Sequence, residues 1–433
     1  MNNFFIFLVI GIIFSSCSLN KNSKFWTSTK KIDLENLKFK EILKDEKILK
    51  KTFNQNFKIR LSKKVLNNTK NNFQTNNDGR IKFNGNLEKT SRYKFSKIKN
   101  FYQYEPEISF DNKNIIFFDN KGTILKFDNN SNLIWKKNYY SKNEKKLNPI
   151  LQFSNNGKHL VVADNLANYY VLDIKTGNQI WIKNNLAPFN SQIKIYKDKF
   201  FIIDFSNTLR CFSLLNGKEL WNVITENSLI RSNKKLSMVI SNNKIFFNNS
   251  IGDITAVDID RGETLWQLPT QSSSIYESAF SLETSDLILD NDTLYFSNNR
   301  NQIFSIDINV GNFNWEHQVN SNIRPSITEN LLFTISIEGY LVVIEKNSGN
   351  IIRITDVFEN FKSKKRSNIK PTGFIMGLKN IYLSTTNGRL LVIDIASGKT
   401  ISTLKIDNDK ISRPLILDKS LFITKDNAII KLN

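Results

Sequence analysis

The chain has 433 residues, 40% of them hydrophobic and 33 of them Phe, so it is long and apolar enough to bury a large core. Two histidines and two cysteines exclude a metal site with histidine spacing and a disulfide framework. The 61 Lys and Arg residues exceed the 40 Asp and Glu residues and leave a formal net charge of +21. Such a charge either attracts anionic lipid headgroups or acidic partners or reflects compositional drift, and drift is favoured because the lysines are scattered over turns.

The first residues, MNNFFIFLVIGIIFSSC, have the pattern of a signal peptide. The apolar run at residues 4–14 is too short to span a bilayer, and small residues and Cys17 follow it. Ser15, Ser16 and Cys17 resemble a bacterial lipobox, although Phe14 stands where Leu is usual and no Lys or Arg precedes the run. We therefore predict a lipoprotein signal peptide at residues 1–16 and lipidation of Cys17. The alternative is an ordinary cleaved signal followed by a coincidental cysteine.

Residues 17–75 lack the repeat pattern of the remaining chain. KIDLENLKFKEILKDEKILKKT, residues 31–52, has apolar residues separated by charges and predicts a short amphipathic helix. KKVLNNTKNNFQTNND, residues 63–78, is a polar tract suited to a flexible tether. We expect a lipid-anchored tether that is mostly spacer, with docking on the rest of the chain or on a partner as the alternative. Nucleic acid is not expected as a partner of an exported protein.

One pattern recurs along residues 76–433. Five copies end in tryptophan and include YYVLDIKTGNQIW and ITAVDIDRGETLW; their tryptophans are Trp135, Trp181, Trp221, Trp266 and Trp315. Two weaker copies keep the turn but end at Arg353 and Ser402. Successive tryptophans are 40 to 49 residues apart, and such a period with β character is typical of β-propeller blades.

Most copies keep an acidic residue four positions before the turn glycine, as Asp173 and Gly177 do, and Ser213 stands in for it in the third copy. The Asp carboxylate can accept hydrogen bonds from backbone N–H groups two or three residues on, and Gly supplies the positive φ that closes the hairpin. The first copy has Ser131 or Asn132 in place of Gly, which predicts a looser turn. Each Trp should lie on an outer strand and pack on the next blade. The small residues expected to receive the rings are Val171, Cys211, Ala256 and Ser305.

Seven hairpins and the terminal SLFITKDNAIIKLN give seven complete units and an eighth that stops after two strands. An open sheet edge invites aggregation, so another segment must complete the last blade. DGRIKFNGNLEKTSRYKFSKI, residues 78–98, can supply the missing outer strands. The predicted fold is all-β: an eight-bladed β-propeller of four-stranded blades over residues 76–433, with N-terminal strands closing the last blade.

The copies VLDIKTGNQIW and AVDIDRGETLW resemble the repeat of the pyrroloquinoline-quinone (PQQ) type propellers. Among these, a lipoprotein of this length without catalytic insertions is similar to the BamB family of the outer-membrane β-barrel assembly machinery, over about residues 75–433. The resemblance implies a non-catalytic scaffold without a cofactor. It also implies a place on the periplasmic face of the outer membrane, which Ser18 after the lipidated cysteine supports, and a monomer within a larger complex that binds a POTRA domain of BamA.

Two connections depart from the minimal repeat. NVITENSLIRSNKKLS carries Leu229, Ile230 and Arg231, and an apolar pair beside Arg has the composition of an interface hot spot. The connection after Trp266 carries Glu283. The family resemblance implies that a Leu-Arg loop and an acidic residue in the neighbouring loop hold the POTRA domain, and Glu283 stands where the family prefers Asp. The alternative is that these residues pack on their own blade.

Two other functions remain open from the sequence. A PQQ-dependent quinoprotein dehydrogenase would need calcium-binding carboxylates, a catalytic Asp and a longer chain, and the vicinal cysteine pair of that class is missing. A binder of peptidoglycan or of another cell-envelope partner would keep the same fold and location. We expect no enzyme activity and no metal. The sequence leaves the identity of the partner and of its POTRA domain open.

Overall fold

The computed structural model describes residues 51–62, 65, 73–226, 234–270 and 282–433. The chain divides into two compact units, Met1–Lys47 and Ile48–Asn433, and every described residue belongs to the second. The predicted signal peptide, Cys17 and residues 31–50 of the predicted helix lie outside the described residues. None of the helices in the described ranges has the length and apolar character needed to cross a membrane.

The described strands form eight antiparallel sheets of four strands each. Short runs rich in Ile, Phe, Val and Tyr form these strands because such side chains pack well on a pleated surface. Blade 1 consists of β2 (Ser109–Asp111), β3 (Asn114–Phe118), β4 (Ile124–Phe127) and β5 (Leu133–Lys137). Blade 2 consists of β6 (Leu151–Asn155), β7 (His159–Asp164), β8 (Asn168–Asp173) and β9 (Gln179–Asn184). Blade 3 consists of β10 (Lys194–Tyr196), β11 (Lys199–Ile203), β12 (Thr208–Ser213) and β13 (Glu219–Ile224). Blade 4 consists of β14 (Met238–Ser241), β15 (Lys244–Asn248), β16 (Ile254–Asp258) and β17 (Thr264–Leu268).

The remaining blades repeat this order from the inner to the outer strand. Blade 5 consists of β18 (Ile288–Asp290), β19 (Thr293–Asn298), β20 (Gln302–Asp307) and β21 (Asn312–His317). Blade 6 consists of β22 (Ser326–Thr328), β23 (Leu331–Ile335), β24 (Tyr340–Glu345) and β25 (Ile351–Asp356). Blade 7 consists of β26 (Pro371–Met376), β27 (Asn380–Thr385), β28 (Arg389–Asp394) and β29 (Thr400–Lys405). Blade 8 consists of β30 (Leu415–Leu417), β31 (Ser420–Lys425), β32 (Ala428–Leu432) and β1 (Lys89–Lys94). Short helices occur at Phe101–Tyr104 (α1) and Ser363–Arg366 (α2), with a 3-10 turn at Glu144–Leu147.

The hydrophobic core runs around the ring between successive blades. The middle strands are buried on both faces, whereas outer strands such as β9 are mostly exposed. One cluster joins Tyr93 and Phe422 of blade 8 to Phe117 of blade 1 and to Leu160 of blade 2, so the ring is closed by packed side chains. The predicted eight-bladed β-propeller is confirmed.

The closing blade differs in detail from the prediction. The C-terminal segment supplies three strands rather than two, because Leu415–Leu417 pairs with β31 as the innermost strand. The N-terminal segment therefore contributes one outer strand: β1 pairs antiparallel with β32, with Tyr93 opposite Ile429. This pairing covers the free edge of β32 and joins the two ends of the propeller domain.

The tryptophan rings pack on the turn glycines of the following blades. A Cβ atom placed on Gly217 would lie 2.6 Å from the Trp181 ring, and one on Gly311 would lie 2.6 Å from the Trp266 ring. The indole nitrogens also donate to the next blade, for example from Trp266 to the Ile308 oxygen at 3.0 Å. The residues expected to receive the rings were wrongly assigned: Val171, Cys211, Ala256 and Ser305 lie opposite Trp181, Trp221, Trp266 and Trp315 in the same sheets.

The first turn is shorter than the others but not looser. Asp128 accepts hydrogen bonds from the amides of Asn130 and Asn132, both at 2.8 Å, and Ser131 takes the positive φ of +66°. Asp173 makes the equivalent bonds to the amides of Lys175 and Thr176. A serine can therefore replace glycine here because the Asp side chain still satisfies the turn amides.

Arg353 replaces the tryptophan of blade 6 and has a second role. Its guanidinium is buried and donates to the Ile395 oxygen of blade 7 at 3.0 Å, where an indole would donate in the other copies. It also donates to the Ala396 oxygen, and at 3.1 Å to the Phe57 oxygen of the N-terminal segment. The Ile59 amide bonds to Ala396 at 2.9 Å, and its side chain is buried in the cluster shared by blades 6 and 7. Residues 51–62 thus lie along blades 6 and 7.

Arg353→Trp should keep the contact between blades 6 and 7 but release the N-terminal segment. An indole can replace the bond to Ile395 but offers no second donor for Phe57. We expect hydrogen exchange of the Ile59 amide to accelerate about tenfold or more, because a hydrogen bond from a charged donor contributes ~1.5–3 kcal/mol. The amide of Ile81, which bonds to Met376 at 2.9 Å, is the internal control. Equal exchange of Ile59 in both proteins would show that Arg353 does not hold this segment.

Candidate functional site

A cavity of about 630 Å³ opens over the axis of the propeller. In an antiparallel four-stranded blade, the connection to the next blade lies on the same face as the turn between the second and third strands. The connections before β2, β14, β18, β22, β26 and β30 supply most of the wall, and Glu107, Lys235, Asp286, Arg324 and Arg413 are among the lining residues. The cavity is therefore built from the blade-to-blade connections, which sequence repeats do not constrain.

Arg324 is the centre of an ion-pair network at the base of the cavity. Its Nε donates to Asp286 at 2.7 Å, and its guanidinium lies 3.2 Å from a Glu107 oxygen. Lys235 lies 3.2 Å from the same Glu107 oxygen. Asp78 accepts from Arg413 and lies 3.6 Å from Arg324. The network therefore joins the connections at five blade junctions to one another and to Asp78 of the N-terminal segment.

The network remains charged at neutral pH. Burial raises the pKa of the Asp286 carboxyl, but the nearby charges of Arg324 and Lys235 outweigh burial and hold that pKa well below its usual range. The pKa of Glu107 is lowered for the same reason, by Lys235 and Arg324 against the effect of burial. Burial alone would lower the pKa of Arg324, but Asp286 and Glu107 raise it. The base of the cavity is a set of mutually paired charges.

The hub segment, residues 73–83, fills the ring beneath the cavity. The Asn76 side-chain nitrogen Nδ2 donates to the backbone oxygens of Met238 at 3.1 Å and Leu287 at 2.9 Å. The Lys194 Nζ donates to Asn76 Oδ1 at 2.6 Å, and burial and the charge of Arg324 lower the pKa of Lys194 to about 7. Further along, the Ile81 amide donates to Met376 at 2.9 Å. The end of the polar tract predicted as a flexible tether is therefore packed against inner strands, with Asn76 buried and its neighbours partly buried.

Leu229, Ile230 and Arg231 lie outside the described residues, but both predicted connections have described ends. Lys234 ends the connection between β13 and β14, and its Nζ donates to the Asn322 backbone oxygen. Glu283 ends the connection between β17 and β18, and it accepts from the Asn322 side-chain amide. The two predicted connections therefore meet at Asn322 on the wall of the same cavity.

Ile224 was not considered from the sequence. It ends β13 three residues before the undescribed part of the connection and is 75% exposed. Leu220, on the same face of β13, is 45% exposed, while Trp221 faces the next blade. The alternation in ELWNVI carried this signal, because residues two apart share one face of a strand. In the described chain β13 is also an edge strand, with β12 on one side.

The described wall of the cavity carries paired charges rather than a metal-binding cluster. Its acidic and basic side chains neutralise one another at fixed distances, and the described residues contain no group of three or more His, Cys, Asp or Glu side chains arranged to hold a metal ion. His159 and His317 lie away from the cavity wall, and His317 contacts the Trp315 ring. Burial raises the pKa of the Cys211 thiol to about 12, so this side chain is protonated and packs as an apolar group.

Comparisons with known proteins agree with this architecture. A family model described as outer membrane protein assembly factor BamB matches residues 120–355, more than half of the chain. No curated protein matches the sequence. The solved structure of BamB from Moraxella catarrhalis is similar with a TM-score of 0.65 and 15% identity, over 80% of this chain and 99% of that chain.

Two other structures share the fold at low identity. The computationally designed Ika8 protein has a TM-score of 0.61 and 14% identity, over 81% of this chain and 99% of that chain. The quinohemoprotein alcohol dehydrogenase from Comamonas testosteroni has a TM-score of 0.62 and 9% identity, over 86% of this chain and 82% of that chain. The same β-propeller fold thus occurs in an assembly factor, a designed protein and an enzyme.

Proposed function

Since the chain belongs to the family of outer membrane protein assembly factor BamB, we propose that it is a non-catalytic scaffold of the outer-membrane β-barrel assembly machinery. In this proposal Cys17 carries the lipid anchor, the protein lies on the periplasmic face of the outer membrane, and the propeller binds a POTRA domain of BamA. The propeller acts as a monomer within that larger complex and needs no cofactor.

One observation carries the partner site. The described ends of the two predicted connections, Lys234 and Glu283, converge on Asn322, so Leu229, Ile230 and Arg231 belong to a connection that shares a wall with Glu283. Rigid scaffolds with adjacent connections are suited to holding a folded domain.

The outer strand beside this connection supports the same proposal. Leu220 and Ile224 expose apolar surface on β13, and the free edge of β13 offers backbone groups for an added strand. Exposed apolar side chains such as Leu220 and Ile224 are the kind of residue from which interface hot spots are built. In this proposal a strand of the POTRA domain pairs with β13, and Ile230 contributes an apolar contact to the same domain.

Arg231→Glu tests the partner site. The substitution reverses one charge at the proposed centre of the interface, and we expect the amount of BamA captured from detergent-solubilised membranes to fall about tenfold or more. Arg261→Glu is the matched control, because Arg261 is 75% exposed in a turn on the opposite face. Undiminished capture of BamA by Arg231→Glu would remove this residue from the site.

The same affinity purification separates the other candidate functions. Mass spectrometry that recovers a different envelope protein with wild-type chain, and no BamA, would replace the partner. The fold shared with a quinohemoprotein alcohol dehydrogenase makes dye reduction the second assay. We expect no reduction of dye with PQQ, calcium and an alcohol or a sugar, and turnover there would overturn the scaffold proposal.

A further inference from the structure

The connection between β25 and β26 concentrates positive charge on the surface. This basic loop, residues 357–370, reads VFENFKSKKRSNIK and has five cations against one acid, Glu359. Lys362, Lys364 and Lys365 are exposed, and in the described part of the chain none of the three forms an ion pair. The lysines that looked scattered in the sequence are thus locally clustered here.

The basic loop is held by its other side chains. Phe358 is buried, and its ring centroid lies 5.6 Å from that of Phe361. Ile369 is buried in the cluster shared by blades 6 and 7. Arg366 pairs with Asp356 at 2.6 Å and lies over the Tyr340 ring. Because these anchors use the apolar residues and one arginine, the lysines remain free to face outward from α2.

The N-terminal segment, residues 51–62, pairs with blade 6 beside this loop. Phe53 pairs antiparallel with Ile354, with hydrogen bonds of 3.0 and 2.9 Å between their backbone groups. The pairing is antiparallel, and β25 ends at Asp356 just before the basic loop. Going from Phe53 back to residue 51, the chain therefore runs towards that loop. Phe53 is 52% exposed and Phe57 is 48% exposed. Two aromatic rings and three lysines therefore occur at the rim of blade 6, near the end of β25.

We propose that this rim patch, formed by Phe53, Phe57, Lys362, Lys364 and Lys365, contacts the anionic phospholipid headgroups of the membrane that holds the anchor. Lysines near an anionic surface are attracted electrostatically, and aromatic rings insert at the interface between headgroups and acyl chains. One anchor and one basic patch together fix an orientation that a lipid tether alone leaves free. The patch rests on the proposed lipid anchor and goes beyond the proposed partner.

The full lipid-anchored chain carrying Ser363→Cys and a fluorophore tests the patch. Ser363 is exposed in α2, whereas Cys211 is buried, so the new thiol is labelled selectively. The protein is reconstituted in vesicles of phosphatidylcholine alone or with phosphatidylglycerol, with a quencher on the lipid. We expect strong quenching only in the anionic vesicles and its loss at high salt. Changing Lys362, Lys364 and Lys365 together to Glu should abolish most of the quenching in the anionic vesicles.

A matched variant controls for general charge. The control variant has the same charge reversal in the connection between β5 and β6, with Lys142, Lys145 and Lys146 changed to Glu. Its fluorophore should be quenched as strongly as that of the wild type. Equal quenching in both kinds of vesicle, equal loss in both variants, or displacement by inorganic phosphate at constant ionic strength would overturn the proposal. The mass of the purified chain shows whether Cys17 is acylated, and BamA capture shows whether the partner site works. A failure of the lipid anchor or of the partner site can therefore be distinguished from a failure of the rim patch.

Discussion

Arg324→Leu should lower the free energy of unfolding by about 3 kcal/mol. The substitution removes the charge that keeps Asp286 ionised within the network, and the Asp286 side chain is only 14% exposed. A carboxylate left without its partner in that position must either remain charged at a desolvation cost or become protonated. Glu107, which is 45% exposed, can be hydrated instead and should contribute little to the loss.

The effect of Arg324→Leu should depend on pH. In the wild type the pKa of Asp286 is lowered, so its pairing stabilises the fold above the unfolded pKa of about 4 and this contribution is lost in acid. Without Arg324, only Lys235 and Lys234 oppose the effect of burial, so the pKa of Asp286 should rise from its wild-type value and part of this stabilisation should be lost. The difference between the two proteins should therefore be largest near neutrality and shrink below about pH 4.

Denaturant unfolding followed by tryptophan fluorescence measures this difference. Arg261→Leu is the control, because Arg261 and Glu263 are 75% and 66% exposed and 3.7 Å apart. Such a surface pair contributes ~0–1 kcal/mol. Similar losses in both variants would mean that the network at the base of the cavity is hydrated and does not hold the connections together.

Gly311→Ala should destabilise the propeller by a comparable amount, about 3 kcal/mol. Gly311 has φ of +72°, and a Cβ atom there would lie 2.6 Å from Trp266 Cδ2 and 2.8 Å from Cε3. The left-handed conformation costs an alanine ~1–2 kcal/mol, and forcing a methyl group into a packed ring adds ~1–3 kcal/mol. The ring cannot move freely because its nitrogen donates to Ile308 and its edge packs in the cluster of blades 4 and 5.

Gly157→Ala separates the two contributions. Gly157 has φ of +82°, but no atom lies within 4 Å of its added Cβ. This variant should show only the conformational cost of ~1–2 kcal/mol. If the losses in the two variants are equal in thermal or denaturant unfolding, the tryptophan shifts without penalty and does not hold neighbouring blades at a fixed spacing.

The blades themselves could be predicted because their signals are local. An Asp carboxylate bonds amides two or three residues on, Gly closes the hairpin, and apolar runs form strands within each repeat. Trp266 and Gly311 recur in register for this reason. The error about Val171 and Cys211 has a physical cause: both lie opposite a Trp in their own sheets, and the small size of a residue does not distinguish a same-sheet neighbour from one on the next blade.

The site was only partly predictable. The connections with Leu229, Ile230, Arg231 and Glu283 could be identified by their extra length, and Ile224 could have been found from its alternation with Trp221. The pairing of Arg324 with Asp286 gave no signal, since charged residues in loops are usually solvated. Their pairing depends on five connections converging over one axis, a geometry that no local pattern encodes.

The repeat and the eight blades were determined by the sequence alone, because hydrogen-bonded turns and strand periodicity act over a few residues. The tertiary structure decided which groups meet across hundreds of residues. Only there does Arg353 bind the Phe57 carbonyl, does Asn76 occupy the hub, and does Phe53 pair with Ile354 just before the basic loop. Such contacts depend on ring closure, and the free energy that selects them comes from burial and charge pairing between distant segments.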